Sequence, residues 1–215
     1  MILSKSVANK TASLLLQIKA IKLNLQTPFT WASGWNSPIY CDNRLSLSYP
    51  EIRNYLKEQL AEVIKKKFHE CECIAGVATA GIAHGALVAD ALDLPFIYVR
   101  SSPKAHGLTN MIEGKVIAGQ KVVVIEDLIS TGGSSLNVVN ALRAVDCQVM
   151  GLIALFTYGF DTAENNFLNA DCPFYTLTDY DALIKKAVEQ GAVQSTDIDS
   201  LTAWRMKPSE WSKGL

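Results

Sequence analysis

The chain has 215 residues, 49% of them apolar, and its 20 basic and 21 acidic side chains leave a formal charge of −1. That is an ordinary globular composition with enough chain for a full core. It lacks the basic surplus that a general nucleic-acid binder uses against phosphates, and neither an apolar run of membrane-spanning length nor a secretory signal core is present in it. Neither nucleic acid nor membrane is therefore expected as a partner. The five cysteines (Cys41, Cys71, Cys73, Cys147 and Cys172) are odd in number and have no metal-ligand spacing. They read as buried or incidental thiols in a reducing cytoplasm.

Residues 4–22 carry an amphipathic helical pattern. They lead into "TPFTWASGWNSPIYCDNR", an aromatic stretch punctuated by Gly and Pro. Pro50 opens a helix at its favoured first position, with Ile52, Tyr55, Leu56, Leu60 and Ile64 on one face. Strands at 73–77, 96–100, 121–126 and 148–155 then alternate with helices at 81–92 and 134–144. This order predicts an α/β fold with right-handed crossovers and a mainly parallel central sheet flanked by helices. The tail carries a helix near 179–190 and another from Ser195, whose hydroxyl can cap it. Nothing marks a second domain.

The segment "VVVIEDLISTGGSS", residues 122–135, carries the most chemistry. Its apolar run reads as a strand covered on both faces. Glu126, Asp127 and the following turn thus sit at the carboxyl end of a strand and face a helix start, where open α/β sheets bind ligands. Gly132 and Gly133 permit backbone angles that converge N–H groups on an anion. Thr131, Ser134 and Ser135 add hydroxyls. A plain strand–helix turn with a serine cap explains the turn equally well, but not the two acids. Beside a phosphate cradle they must hold something else, such as sugar hydroxyls or a hydrated Mg²⁺. Ribose phosphate with a metal satisfies both halves.

A nucleotide triphosphatase is excluded, because "GVATAGIA" places Ile82 and Ala83 where its phosphate loop needs Lys and Ser or Thr. No G-x-G-x-x-G follows a strand either. Gly76 and Gly81 still bracket a turn, which reads as a second anion-binding loop or as a plain tight turn. Between strands, "SSPKAHGLTNMIEGKVIAGQ" is too long for a passive connection. With Arg100 it brings Lys104 and His106 together, either as solvated charge or as a lid for a polyphosphate leaving group. His69 and His84 have no partners at ligand spacing and read as structural.

These segments together resemble the type I phosphoribosyltransferases, nearly end to end, and within them the branch acting on orotate. "VVVIEDLISTGGSS" is similar to that family's signature for 5-phosphoribosyl 1-diphosphate (PRPP), "FTWASGWNSPIYCDNR" to an N-terminal hood, "YVRSSPKAHG" to a catalytic loop and "GVATAGIAHG" to a pyrophosphate-side loop. The resemblance implies one domain over 1–215: an N-terminal helix and hood (about 1–48), a core (about 50–160) and C-terminal helices (about 179–210). It further implies that Mg²⁺ is held mainly by PRPP, with water links at most to Glu126 and Asp127. Those acids would bind the ribose, and Leu128, Ile129, Ser130, Thr131, Gly132, Gly133 and Ser134 would wrap the 5′-phosphate. Arg100, Lys104, His106 and Asp127 would carry catalysis, Ser130 and Tyr40 would touch orotate, and a homodimer would share the catalytic loop across its interface. A transferase for another base, or a non-catalytic PRPP-sensing regulator, is the alternative. Many relatives carry cations at the positions of Ala32, Ala80 and Ser101, or an arginine after the strand ending at Phe156, where this chain reads "TYGF".

Overall fold

The computed structural model describes residues 1–31, 34–101 and 111–211. Helix α1 (Lys5–Gln17) leads to β1 (Ile21–Leu23), β2 (Phe29–Thr30), β3 (Asn36–Ser37), β4 (Ile39–Cys41) and a 3₁₀ segment, Asn43–Ser48. Helix α2 (Pro50–Lys67), β5 (Cys73–Val77), α3 (Ala80–Leu92), β6 (Phe96–Val99), β7 (Ile112–Glu113), β8 (Lys121–Ile129) and α4 (Gly133–Arg143) follow. The chain continues through β9 (Gln148–Thr157), α5 (Asp161–Asn169), β10 (Phe174–Asp179), α6 (Tyr180–Glu189) and α7 (Ile198–Met206).

The central sheet has the order β10-β9-β8-β5-β6-β7. All its pairings are parallel except β6 with β7, so the expected α/β architecture is borne out. The strands alternate between two cores, as a sheet covered on both faces requires. Ile74, Val123, Ile125, Ile153 and Leu155 pack toward α1, α2 and α6. Cys73, Ala75, Val122, Val124 and Leu152 pack toward α4 and α5. Among the described residues no helix is long and apolar enough to cross a membrane.

Helix α1 is shorter than its amphipathic pattern. Lys19 adopts a left-handed φ of 57°, and Ile21–Leu23 then pairs with Ile39–Cys41 as a small antiparallel ribbon. A second ribbon joins β2 and β3, and the two ribbons form the hood. At the other end, Ser195 does not cap its helix. The Asp197 carboxylate instead accepts from the Gln194 N–H at 2.9 Å, ahead of α7.

Helix α3 lies unusually close to the sheet. A methyl group on Gly81 would stand 2.5 Å from the Ile125 carbonyl oxygen, and one on Gly76 would stand 2.8 Å from the Gly81 oxygen. These two glycines serve backbone approach between strand and helix. Neither has the positive φ of a tight turn.

Candidate active site

Strand β8 lies between β5 and β9, so its carboxyl end opens at the middle of the sheet edge. The strand runs on to Ile129 because its ladder continues, with Leu128 beside Phe156 and Ile129 beside Thr157. Asp127 and Leu128 are therefore strand residues, and the turn is only residues 130–132. A cleft of about 320 Å³ opens here. One wall is residues 77–80 of the β5–α3 loop; the other is Glu126, Asp127, Leu128 and residues 130–134. The Ala78–Thr79 peptide bond in the first wall is cis. The loop between Gly76 and Gly81 thus faces the acid pair across one cavity.

Within the turn Gly132 has φ +83°, a region that strains other residues. Gly133 is different: it begins α4 with ordinary angles and open space around it. Asn166 Nδ2 donates to the Thr131 carbonyl at 3.0 Å, and Thr157 Oγ1 donates to the Ile129 carbonyl at 3.1 Å. Ile129 does not reach the cleft. Its side chain is fully buried in the core.

The two acids differ. Glu126 is 4% exposed and turned inward, accepting from the Asp127 N–H at 3.0 Å and from Ser135 Oγ at 3.3 Å. Burial, then the neighbouring Asp127 carboxylate, pushes its pKa well above the ordinary range. Asp127 is only half-buried, and its pKa is raised by burial, against the partial opposition of the Arg44 charge. Asp127 is the carboxylate available to a ligand, while Glu126 ties the strand end to α4.

Sequence reasoning did not single out Asn43. Its side chain is fully buried in the 3₁₀ segment, and Nδ2 donates to the Asp127 carbonyl at 2.7 Å. This bond joins the segment after the hood to the acid pair across 84 residues of sequence. The only sequence trace of it is a polar residue in "CDNR" ahead of Pro50. Next to it Arg44 grips Asp42 through two hydrogen bonds of 2.7 and 3.0 Å.

Other expected residues lie elsewhere. Arg100 follows β6, its guanidinium 3.7 Å from Glu113, and it does not line the cleft. Lys104, His106 and Ala32 lie outside the described residues. Tyr40 is exposed on the hood, its ring 5.6 Å from that of Phe29. His84 is buried, and desolvation lowers its pKa to about 4, so it is neutral at pH 7. The five cysteines are free thiols. A cavity of about 660 Å³ between α1 and α2 has none of the motif residues in its lining.

The phosphoribosyl transferase domain family matches residues 48–176, the stretch that carries the acid pair and the turn at the carboxyl edge of the mainly parallel sheet. The orotate phosphoribosyltransferase of Cytophaga hutchinsonii is 55% identical over 93% of this chain and 95% of that protein. The orotate phosphoribosyltransferase of Bacteroides thetaiotaomicron is 54% identical, over 98% and 99%. Among solved structures, the orotate phosphoribosyltransferase of Aeropyrum pernix aligns with a TM-score of 0.73 at 26% identity, covering 85% of this chain and 99% of that one. The chain belongs to the phosphoribosyl transferase family, in its orotate phosphoribosyltransferase branch.

Proposed function

We propose that the protein transfers the ribose 5-phosphate group of PRPP to orotate, giving orotidine 5′-phosphate and diphosphate for pyrimidine synthesis. The observation carrying this reading is the cleft in which Asp127 and the 130–134 turn face the β5–α3 loop, in a chain more than half identical to orotate phosphoribosyltransferases over nearly its full length. Cleavage at the anomeric carbon builds positive charge on the ribose and negative charge on the departing diphosphate. The protein's work is to stabilise both and to exclude water. Asp127 accepts from the ribose hydroxyls, with Glu126 behind it holding the strand end. The amides and hydroxyls of 130–134 receive the 5′-phosphate, and residues 77–80 border the path of the diphosphate. Ser130 meets the base, with Tyr40 from the hood. Arg100, Lys104 and His106 neutralise the leaving group, Arg100 from a position off its own chain's cleft and so at the neighbour's in the dimer proposed below.

Among the described residues no group of three or more His, Cys, Asp or Glu could hold a metal. One half-buried carboxylate beside a phosphate site suits Mg²⁺, which commonly binds through one or two carboxylates together with substrate oxygens. When bound, Mg²⁺ supplies countercharge for the diphosphate, and Asp127 is the residue that would touch it, through water. The free thiols fit a reducing cytoplasm.

Loss of orotate absorbance tests the reading directly. Orotate should be consumed only when PRPP and Mg²⁺ are both present. Faster use of adenine, hypoxanthine or uracil would overturn it. We further propose a homodimer in which the loop bearing Lys104 serves the neighbour's site. Lys104→Ala and Asp127→Asn homodimers should each be nearly inactive. After subunit exchange about half the dimers are mixed, and each has one intact site, so activity should return to roughly a quarter of wild type for a two-fold dimer. If exchange is verified and activity stays at the single-variant level, the loop serves its own chain.

A further inference from the structure

We propose that Thr157 and Asn166 are positioning residues of the 5′-phosphate site, which fix two peptide planes of the turn so that its N–H groups face the cleft. This rests on the reading above, in which residues 130–134 receive that phosphate. Both side chains donate to turn carbonyls from the side away from the cleft. Thr157 Oγ1, at the end of β9, reaches the Ile129 oxygen at 3.1 Å, and Asn166 Nδ2, on α5, reaches the Thr131 oxygen at 3.0 Å. The Tyr158 N–H gives the Ile129 oxygen a second bond of 3.2 Å. Strands β9 and β5 flank β8 on opposite sides. The cleft is lined by residues 77–80 beyond β5, by residues 126–128 and by 130–134, with nothing from β9 or α5.

In a trans peptide the C=O and the N–H of the next residue point in opposite directions. Among the described residues only the Ala78–Thr79 bond is cis, so the 129–130 and 131–132 peptides are trans. Their carbonyls are held toward β9 and α5. The Ser130 and Gly132 N–H groups therefore turn the other way, toward the wall at 77–80. Among the described residues nothing accepts from either N–H. Two unpaired donors converging on one cleft suit an anion.

Gly132 makes such ties necessary. Its φ of +83° is open to glycine, and so is the opposite sign. Left alone, the Thr131–Gly132 peptide could rotate and present its carbonyl to the cleft, where the oxygen would repel a phosphate. Asn166 selects the other orientation in advance, so the ligand meets donors already in place. Phe167, the next residue, confines Gly132 itself, since its ring would stand 2.8 Å from a methyl group there. Docking of α5 does not depend on the Asn166 bond, because Ala163 and Phe167 are buried in the core. Asn166 is half-buried and within reach of water, so its bond to the turn serves the turn.

The test measures binding of ribose 5-phosphate and of diphosphate by calorimetry in wild type, Asn166→Ala, Asn166→Asp, Thr157→Val and Thr157→Ser. PRPP kinetics and melting temperature are followed in parallel. Asn166→Ala should weaken ribose 5-phosphate about 3–10-fold, the span expected for one neutral hydrogen bond. KM for PRPP should rise by a similar factor, while diphosphate affinity stays at the wild-type value. Asn166→Asp keeps the size, loses the donor and adds a negative charge behind the phosphate, so its loss should exceed that of alanine. Thr157→Val should show the same selectivity. It should also melt lower, because Thr157 Oγ1 accepts from the Gly159 N–H at 3.1 Å. Thr157→Ser keeps the hydroxyl and should bind ribose 5-phosphate as wild type does. Equal weakening toward ribose 5-phosphate and diphosphate, the mark of a generally loosened site, would overturn the proposal. Should Asn166→Ala fail to fold, the isosteric Asn166→Asp and the two Thr157 variants decide the matter in the same way. Wild-type protein that does not bind ribose 5-phosphate would defeat the functional reading as well. Wild-type binding with an indifferent Asn166→Asp would defeat the positioning role alone.

Discussion

Asp127→Asn should reduce PRPP-dependent turnover about 10–100-fold, as expected for removing a charged hydrogen-bond partner worth about 1.5–3 kcal/mol, while leaving the melting temperature unchanged or raised. The direction of the stability effect follows from the pKa. Burial raises the Asp127 carboxyl above its ordinary value. A group raised on folding contributes its stability below the unfolded-state pKa and loses it as pH rises through the folded-state pKa. The ionised form of Asp127 is thus a burden on the fold, and the amide removes it. The same shift predicts that PRPP affinity weakens on acidification from a higher pH than an ordinary carboxylate would give. Calorimetry or fluorescence melting, paired with PRPP titration, decides the matter. A sharp drop in melting temperature with normal affinity would make Asp127 structural.

Gly81→Ala should damage both the fold and the site. The added methyl group would meet the Ile125 carbonyl at 2.5 Å, and this is a backbone atom of a central strand that cannot swing aside. Overpacking of this kind costs about 1–3 kcal/mol, occasionally more. Relief requires α3 to lift from β8, which also draws residues 77–80 away from the acid pair. Lower melting temperature and weaker PRPP binding should therefore appear together. Gly133→Ala is the control for stability: nothing lies within 4 Å of the added atom and its φ is ordinary, so its melting temperature should match wild type. Wild-type melting and PRPP affinity in Gly81→Ala would refute the close-packing role.

The parallel core was legible because buried strands such as Val122–Ile125 write long β-branched runs, and α2 writes a clear apolar stripe behind Pro50. Other elements left weaker traces. Strand β10 mixes Thr and Asp with its apolar residues at a sheet edge, and α5 is short and polar on its outer face. The hood strands are two or three residues long, too short for any period to register. The end of β8 was misread for a different reason. Acids and Ser-Thr-Gly favour a turn locally, but pairing with β9 extends the strand through Ile129. Of the site, residue types at Asp127 and 130–134 were readable as a phosphate and ribose motif. The inward turn of Glu126 and the Asn43 bond were not, because both depend on contacts between segments distant in sequence.

The rings of Trp31, Tyr158 and Trp204 draw together the two ends of the chain, one from the hood and one from α7, at the end of β9. Between them runs the uninterrupted stretch from β5 to α4 that forms the phosphate and ribose half of the cleft. On the function proposed above, the molecule divides into a sugar-phosphate cassette and a second unit drawn from the hood and α7 and joined by these rings. Retargeting such a scaffold to a new base means exchanging both termini as one unit, since either alone would meet an aromatic joint cut for a different partner.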